Sequence, residues 1–353
     1  MIIGSLVSNP KAVEIQRDKA LRGYNTLALQ ARAQAFVTVS SEEELLAALA
    51  QARELKLPLV PLGEGSNVVL AGDVDALVLR QRCRGIQVLE LGKDSVTLRV
   101  AAGENWHEFV HWALQQGYYG LENLALIPGT VGAAPIQNIG AYGVELCTTL
   151  QHVHAREIAD GSAVSLANED CQFGYRDSIF KRELRDRYVI TAIDLQLSRR
   201  ADVTTTYPAL TTYFGEHPHI EVTPQAVFDA VVAIRRSKLP DPAVVPNAGS
   251  FFKNPVIDAQ VAAALLASHP DLPCFPQHDG SVKVSAAWMI ERCGWKGFRR
   301  DNVGVHEQHA LVLVNYGSDS GAQLLALARE IALSVQNAYR ILLEIEPRVY
   351  GAA

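Results

Sequence analysis

Apolar residues recur along this chain at two spacings, and the switch between them marks out its elements. Ala35-Phe36-Val37-Thr38-Val39 is rich in β-formers, and Ser41 with Glu44 then stands at capping-box spacing ahead of Leu45, Leu46 and Leu49. That order predicts a strand followed by a helix. Leu59-Val60-Pro61-Leu62 runs into a glycine turn, Ala76-Leu77-Val78-Leu79 reads as a further strand, and two short alternating runs fill 86–100. Asn105 and Glu108 cap a helix that sets Trp106, Phe109, Val110, Ala113 and Leu114 on one stripe and stops at Gly117. Alternation returns from 151 to 200, where Asp160-Gly161 between two strand-like runs predicts a hairpin with a type I′ turn. Thr223-Pro224 opens a helix with Val227, Ala230, Val231 and Ile234 inside and Arg235, Arg236 and Lys238 in its last turn, where cations complement the dipole. Leu239-Pro240-Asp241-Pro242 ends it and reads as a domain boundary. A helix near 258–268, a strand at 282–284, a Ser285-capped helix ending at Gly294 and a strand over 309–315 follow. A helix over 321–339 turns Leu324, Ala328, Ile331 and Val335 inward, and residues 341–349 read as the last strand. Without an internal repeat, this mixture of helices and mostly antiparallel strands predicts an α+β fold.

Composition narrows the class. The chain has 353 residues, 48% hydrophobic and 20% charged, with 25 Gly and 16 Pro, which excludes disorder, collagen and low-complexity architecture. At roughly 150 residues per domain the length allows two or three domains. A net charge of −6, from 32 basic and 38 acidic residues, argues against a nucleic-acid binder and a polybasic membrane-surface protein. No apolar run approaches the roughly 18 residues of a membrane span. The opening Met-Ile-Ile-Gly-Ser-Leu-Val-Ser-Asn-Pro lacks the basic-then-apolar order of a signal peptide. Cys83, Cys147, Cys171, Cys274 and Cys293 are too scattered for a disulfide framework or a metal knuckle. The expectation is a reduced, soluble, cytoplasmic protein with no nucleic acid, membrane or obligate protein partner.

Common nucleotide and nucleophile motifs are missing. Gly92-Lys93 is followed by Asp94, so no phosphate-cradling P-loop is present, and no G-x-S-x-G elbow occurs. Gly63-Glu64-Gly65-Ser66-Asn67-Val68 starts like a dinucleotide fingerprint but lacks its third glycine, and a strand rather than a helix follows. It is either an anion-binding nest of backbone amides or a plain turn between strands. His152 and His154, two apart on a strand, and His306 and His309, three apart, have no accompanying cluster at metal-ligand spacing, so no metal site is expected. The stretch from Pro128 to Gly143 has four glycines, with only Gln137 and Asn138 as amide side chains. Such backbone suits close approach to a large flat ligand, or a tightly packed internal loop. Phe173-Gly174-Tyr175-Arg176-Asp177-Ser178 and Asn247-Ala248-Gly249-Ser250-Phe251-Phe252-Lys253-Asn254-Pro255 carry reactive groups outside any periodic pattern. In the final strand Glu344 and Glu346 should share a face. Singly, each also reads as an exposed arginine, a turn or a solvated acidic face.

Taken in order, these segments resemble the UDP-N-acetylenolpyruvoylglucosamine reductase family. The resemblance rests on 63–67, Gly103-Glu104-Asn105-Trp106, Leu121 through Gly129, Gln137 through Gly143, Phe173 through Lys181, Lys238 through Pro242 and Asn247 through Pro255. It runs from about Asn25 to the last strand. It implies a two-part FAD-binding region of the vanillyl-alcohol-oxidase (PCMH) type, residues 1–85 with 345–353 and residues 86–237, plus a smaller α+β substrate-binding domain over 238–344. It implies bound FAD, held by Gly63, Glu64, Gly65, Ser66, Asn67, Pro128, Gly129, Gly132, Ala133, Gln137, Asn138 and Gly140. NADPH is the implied co-substrate, and the implied product is UDP-N-acetylmuramate, for peptidoglycan precursor synthesis.

The implied reaction passes a hydride from NADPH through the flavin to the enolpyruvyl group of a UDP-sugar. Negative charge then develops beside the substrate carboxylate, so donors and cations aimed there dominate the barrier. Arg176 matches the residue that holds this carboxylate. Glu346, protonated or donating through a partner, matches the group that stabilises the enolate, and Ser250 the proton donor. Tyr142, Lys238, Lys253 and Asn254 are implied substrate contacts. Tyr207, in Thr206-Tyr207-Pro208-Ala209-Leu210, matches the tyrosine that closes over substrate in the subtype carrying this loop. Pro208-Ala209 stands where that loop usually has Gly-Asp, and Glu344-Ile345-Glu346-Pro347-Arg348 where the family usually has Glu-Pro-Glu-Val-Arg. All three implied ligands are polyanions, so an acidic chain must bind them through local features: backbone nests, Arg176, Lys238 and Lys253. The residues alone leave two other functions open, a flavin oxidoreductase with another substrate and a nucleotide-sugar-binding protein without redox chemistry.

Overall fold

Ser41 begins the first helix as its spacing predicts, with its Oγ accepting from the Glu44 N–H at 3.2 Å. Glu44 closes the motif one residue further out, on the Ser40 N–H at 2.7 Å. The computed structural model describes residues 13–277 and 279–351, so the opening ten residues lie outside the described part. The described chain divides into two compact units, the first made of residues 13–19, 33–63 and 75–232, the second of 20–32, 64–74 and the described residues of 233–351.

In the first unit the helix Glu42–Glu54 packs Leu45, Ala48, Leu49 and Ala52 against Ala35, Val37, Val39, Leu59, Leu77 and Leu79. Those partners come from a four-stranded sheet ordered Gln16–Ala20, Arg32–Val39, Val74–Gln81, Leu59–Leu62, in which the last two strands run parallel. A second sheet is antiparallel throughout, ordered Ala163–Ala167, Leu150–Glu157, Tyr188–Ser198, Ser95–Ala101, Ile86–Leu91. The helix Trp106–Gln115 starts where Asn105 accepts from Glu108 N–H at 3.0 Å, and all five residues of its predicted stripe are buried. Trp106 also donates its indole N–H to Leu124 O at 2.9 Å, so the buried ring leaves no polar atom unmet.

The predicted hairpin forms, but its turn differs. Only Gly161 has positive φ (+82), whereas type I′ requires two such residues. The loop is longer: Gly161 N–H donates to Glu157 O at 2.8 Å, and Asp160 accepts from Ser162 N–H at 2.7 Å. Asp160 therefore shapes the turn through its carboxylate and not through a left-handed backbone.

The second unit holds a four-stranded antiparallel sheet ordered Asn247–Ser250, Val312–Asn315, Val303–Val305, Arg299–Arg300. The helix Gly321–Tyr339 has Leu324, Ala328, Ile331 and Val335 buried, as the spacing predicts. The strand expected over 309–315 starts only at Val312, because Val312 N–H folds back onto His309 O at 3.0 Å. The strand expected over 341–349 is likewise mostly absent. Only Arg348–Tyr350 is a strand, parallel to Val68–Leu70, and the preceding segment makes one isolated bridge between Ile345 and Phe252. The shared face expected for Glu344 and Glu346 lapses with the regular strand that it required.

Helix propensity favours Ala over Gly by about 1 kcal/mol, yet a Cβ at Gly321 would stand 2.0 Å from Leu70 O. Overpacking against backbone outweighs propensity, so Gly321→Ala should destabilise the protein by roughly 1–3 kcal/mol, read as a lower denaturant midpoint.

Candidate active site

In the first unit two loops are stitched together by a buried amide and a guanidinium. Asn138 is fully buried in a left-handed conformation (φ +45). Its Nδ2 donates to Glu145 Oε2 at 2.8 Å and to Gly174 O at 3.2 Å, while its Oδ1 accepts from Cys147 N–H at 3.0 Å. Gly174 and Asp177 exchange backbone hydrogen bonds around Tyr175 and Arg176, a two-residue turn that places Arg176 at φ +53. A positive φ on a long side chain is uncommon, and strain of this kind collects at functional sites. From this turn Arg176 Nη2 donates to Gly140 O at 2.7 Å, returning the tie to the loop that Asn138 anchors. Arg176, Asn138 and Gly140 are thus brought together.

The stretch from Pro128 is an irregular, largely 3-10 segment whose backbone is mostly committed internally. Trp106 N–H donates to Gly129 O at 3.0 Å, Val131 N–H to Glu104 O at 2.9 Å and Gly132 N–H to Ala102 O at 2.9 Å. A Cβ at Gly132 would stand 2.5 Å from Ala102 Cβ, which gives this glycine a packing reason. At Gly63 a Cβ would meet Thr130 Oγ1 at 2.7 Å, so the end of the Leu59–Leu62 strand lies against this stretch. Ala133 is exposed and Gln137 half-buried. Tyr142 adopts φ +48, and its ring meets that of Tyr207 edge to face at 5.5 Å. Tyr207 is the residue before the helix Pro208–Glu216, so Pro208 at the first helical position presets the turn into that helix. Asn123, which sequence reasoning passed over, is buried and donates to Tyr142 O and to Thr204 O, both at 2.9 Å.

In the second unit the strand Asn247–Ser250 pairs with Val312–Asn315 through a register shift between Asn247 and Ser250. Gly249 sits in this irregularity at φ +69, and Asn247 Oδ1 accepts its N–H at 2.8 Å. Bulges of this kind re-aim the residue that follows, here Ser250. Asn247 Nδ2 also donates to Pro240 O at 3.1 Å and Val245 O at 2.8 Å, linking the Ser250 strand to the Leu239–Pro242 turn. Glu346 N–H donates to Phe251 O at 2.9 Å, and Lys253 N–H to Glu344 O at 3.0 Å. The backbone of Glu346 is therefore held against the residue after Ser250. Lys253 Nζ pairs with Glu344 Oε1 at 2.6 Å, its stem covered and the carboxylate outside. Asn254 is committed elsewhere: its Oδ1 accepts from Ala286 N–H at 3.0 Å, at the start of the helix Ala286–Arg292. Lys238 ends the helix Pro224–Lys238 and, after burial itself, helps push the His309 imidazole down to about 4. The neutral ring is what the fold uses, since His309 Nδ1 accepts from Leu311 N–H at 3.3 Å.

Of the turn at 63–67, Gly65 (φ +67) leaves no room for a Cβ, which would lie 2.1 Å from Tyr24 O. Its carbonyl accepts from Thr26 N–H at 3.1 Å, and Asn67 O accepts from Arg348 N–H at 3.0 Å. The stretch at 128–140 offers small side chains, main-chain groups and no carboxylate, with the Arg176 cation beside Gly140. Among the described residues no group of three or more His, Cys, Asp or Glu side chains is placed to hold a metal, and no helix is long and apolar enough to cross a membrane.

Known families and proteins resemble the chain along its length. A family model described as FAD binding domain matches residues 33–167. Another, described as UDP-N-acetylenolpyruvoylglucosamine reductase, C-terminal domain, matches residues 241–350. The chain is 48% identical to UDP-N-acetylenolpyruvoylglucosamine reductase of Chromobacterium violaceum, over 96% of this chain and 99% of that one. It is 47% identical to the enzyme of that name from Pseudomonas aeruginosa, over 96% and 100%. Its structure resembles the crystal structure of UDP-N-acetylenolpyruvylglucosamine reductase from Thermus caldophilus with a TM-score of 0.66 and 25% identity, covering 96% of this chain and 98% of that one.

Two outcomes follow from the second unit. A Cβ at Gly249 would meet no atom within 4 Å, so Gly249→Ala carries only the left-handed backbone penalty of about 1–2 kcal/mol. Thermal unfolding should show that loss. His309 is neutral in the fold down to about 4 but takes a proton near 6.5 when unfolded. Stability should therefore fall as pH drops from 6.5 towards 4, by up to about 3 kcal/mol, and level off below. His309→Gln should flatten the dependence of the urea midpoint on pH in that window.

Proposed function

Because the chain belongs to the UDP-N-acetylenolpyruvoylglucosamine reductase family, we propose that it uses NADPH to reduce the enolpyruvyl ether of the UDP-sugar to UDP-N-acetylmuramate. This is a step of peptidoglycan precursor synthesis, and we place it in the cytoplasm. The observation that carries the reading is the hydrogen bond from Glu346 N–H to Phe251 O, which brings a carboxylate-bearing segment alongside the serine strand. When bound, FAD supplies the hydride relay between NADPH and the substrate. Gly63, Glu64, Gly65, Ser66, Asn67, Pro128, Gly129, Gly132, Ala133, Gln137, Asn138 and Gly140 are its assigned contacts. Residues 1–85 with 345–353 and 86–237 are assigned to the two parts of the FAD region, and 238–344 to the substrate.

The protein's own part is electrostatic and acid–base. Arg176, held at a fixed turn and pointed by Gly140 O, binds the substrate carboxylate and opposes the charge that grows there. Glu346 stabilises the same enolate. Ser250 donates the proton to the adjacent carbon; a hydroxyl is a weak acid, so it serves only a strongly basic acceptor. Lys238 and Lys253 supply positive charge to phosphate oxygens. Asn254 is assigned to the substrate, and its cap on Ala286 fixes the Lys253 segment. Tyr142 and Tyr207 cover the sugar nucleotide.

Ser250→Ala should leave NADPH-driven flavin bleaching nearly intact while slowing reoxidation by the UDP-sugar by a factor of roughly a hundred or more, seen by stopped-flow absorbance. Equal loss in both half-reactions would remove Ser250 from its role. Tyr207→Phe should weaken UDP-sugar affinity more than it slows flavin reduction; unchanged affinity in a binding titration would show that this tyrosine does not cover the substrate.

A further inference from the structure

The two tyrosines assigned to the substrate are joined by more than their ring contact. Asn123 lies in the short 3-10 turn Glu122–Leu124 and is buried. Its Nδ2 donates to two carbonyls that belong to different segments, Tyr142 O and Thr204 O, each at 2.9 Å. Tyr142 stands in the glycine-rich stretch at φ +48. Thr204 lies in the irregular run that leads from the strand Tyr188–Ser198 to Tyr207. That run is also held from its far side, where Thr211 Oγ1 donates to Thr205 O at 3.0 Å and Thr211 N–H to Tyr207 O at 3.1 Å. A Cβ on Gly143 would lie 3.8 Å from Tyr207 Cβ, so the two segments run in contact where Asn123 ties them.

A primary amide carries two hydrogens on one nitrogen, so it can serve two carbonyls at once; a carboxylate offers none and a hydroxyl only one. The geometry points to Asn123 as a positioning residue for the UDP-sugar, acting through the Tyr142–Tyr207 pair by fixing the spacing of the segments that bear them. This rests on the reading of Tyr207 as the residue that covers substrate. Without Asn123, two carbonyls lose their donor, and the Thr204 run loses the tie to the Tyr142 segment while keeping the bonds from the helix side. Binding the sugar nucleotide then requires ordering that the native protein has already completed.

The test is a double-mutant cycle of Asn123→Ala, Tyr207→Ala and the combined variant, read as KM for the UDP-sugar and as the rate of flavin reduction by NADPH. Asn123→Ala should raise KM for the UDP-sugar roughly tenfold (about 1.4 kcal/mol) with a much smaller change in flavin reduction. In the Tyr207→Ala background that rise should vanish. A KM rise of the same size in both backgrounds, or a loss that falls equally on flavin reduction, overturns the proposal while leaving the role of Tyr207 intact. Unchanged KM in Tyr207→Ala alone overturns the reading of Tyr207 and this proposal with it. If Asn123→Ala yields no folded protein, Asn123→Asp, which keeps the volume and removes the amide donors, decides the same comparison.

Discussion

Much of the second unit depends on how its last residues are paired. The chain between Glu344 and Tyr350 makes backbone hydrogen bonds on two sides in succession. It first meets Phe251 and Lys253, through Glu346 N–H to Phe251 O and Lys253 N–H to Glu344 O. It then runs as a parallel strand beside Val68–Leu70, in register from Arg348 opposite Val68. Backbone amides removed from water must find partners, and here one set, Val68–Leu70, comes from the other end of the chain. The arrangement sets Glu346 beside the strand of Ser250 and anchors the turn at 63–67, since Arg348 N–H also closes on Asn67 O. A slip of one residue would exchange which residues meet Phe251 and the turn.

Buried asparagines organise the irregular segments in both units. Asn138 fixes the loop that leads to Arg176, Asn123 the two tyrosine segments, and Asn247 the approach to Ser250. Asn25 and Asn315 do the same in the second unit, each with donors and acceptor engaged on nearby main-chain groups. Loops rich in positive φ cannot satisfy their own backbone by a repeating ladder. A short amide with two donors and an acceptor replaces that ladder in place. The rigidity this confers is what a site needs when a charge must meet preplaced dipoles.

The glycines show why sequence spacing alone leaves roles open. Gly132 and Gly65, read as places where backbone meets a ligand, are each required by protein neighbours, Ala102 Cβ and Tyr24 O. Gly249 has open space around it and is required by its left-handed backbone instead. Asn254, read as a contact of the substrate, caps a helix with its oxygen. The same residue type answers to packing, to backbone conformation or to function, and only the neighbours distinguish them.

Elements whose cause is local were legible in the sequence. Ser41, Asn105 and Ser285 cap helices because each cap spans three residues, and the stripe of the helix Gly321–Tyr339 follows from its 3.6-residue period. The ordered segments also carried the family resemblance, since the residue types that chemistry demands survive as text. Features whose cause is distant were not legible. The terminal strand shrank to Arg348–Tyr350 because its pairing is decided by Phe252 and Val68–Leu70, not by its own alternation. Asn123 lay inside a matched segment but showed no role there, since its meaning lies in two carbonyls 19 and 81 residues away. Sequence by itself determined most of the longer helices, the caps at Ser41, Asn105 and Ser285, and the inventory of reactive groups, whereas the helix Pro208–Glu216 arose in a stretch read as a loop. Tertiary structure alone decided which backbone each buried amide would meet, because hydrogen-bond partners far apart in the chain become neighbours only once the core has closed.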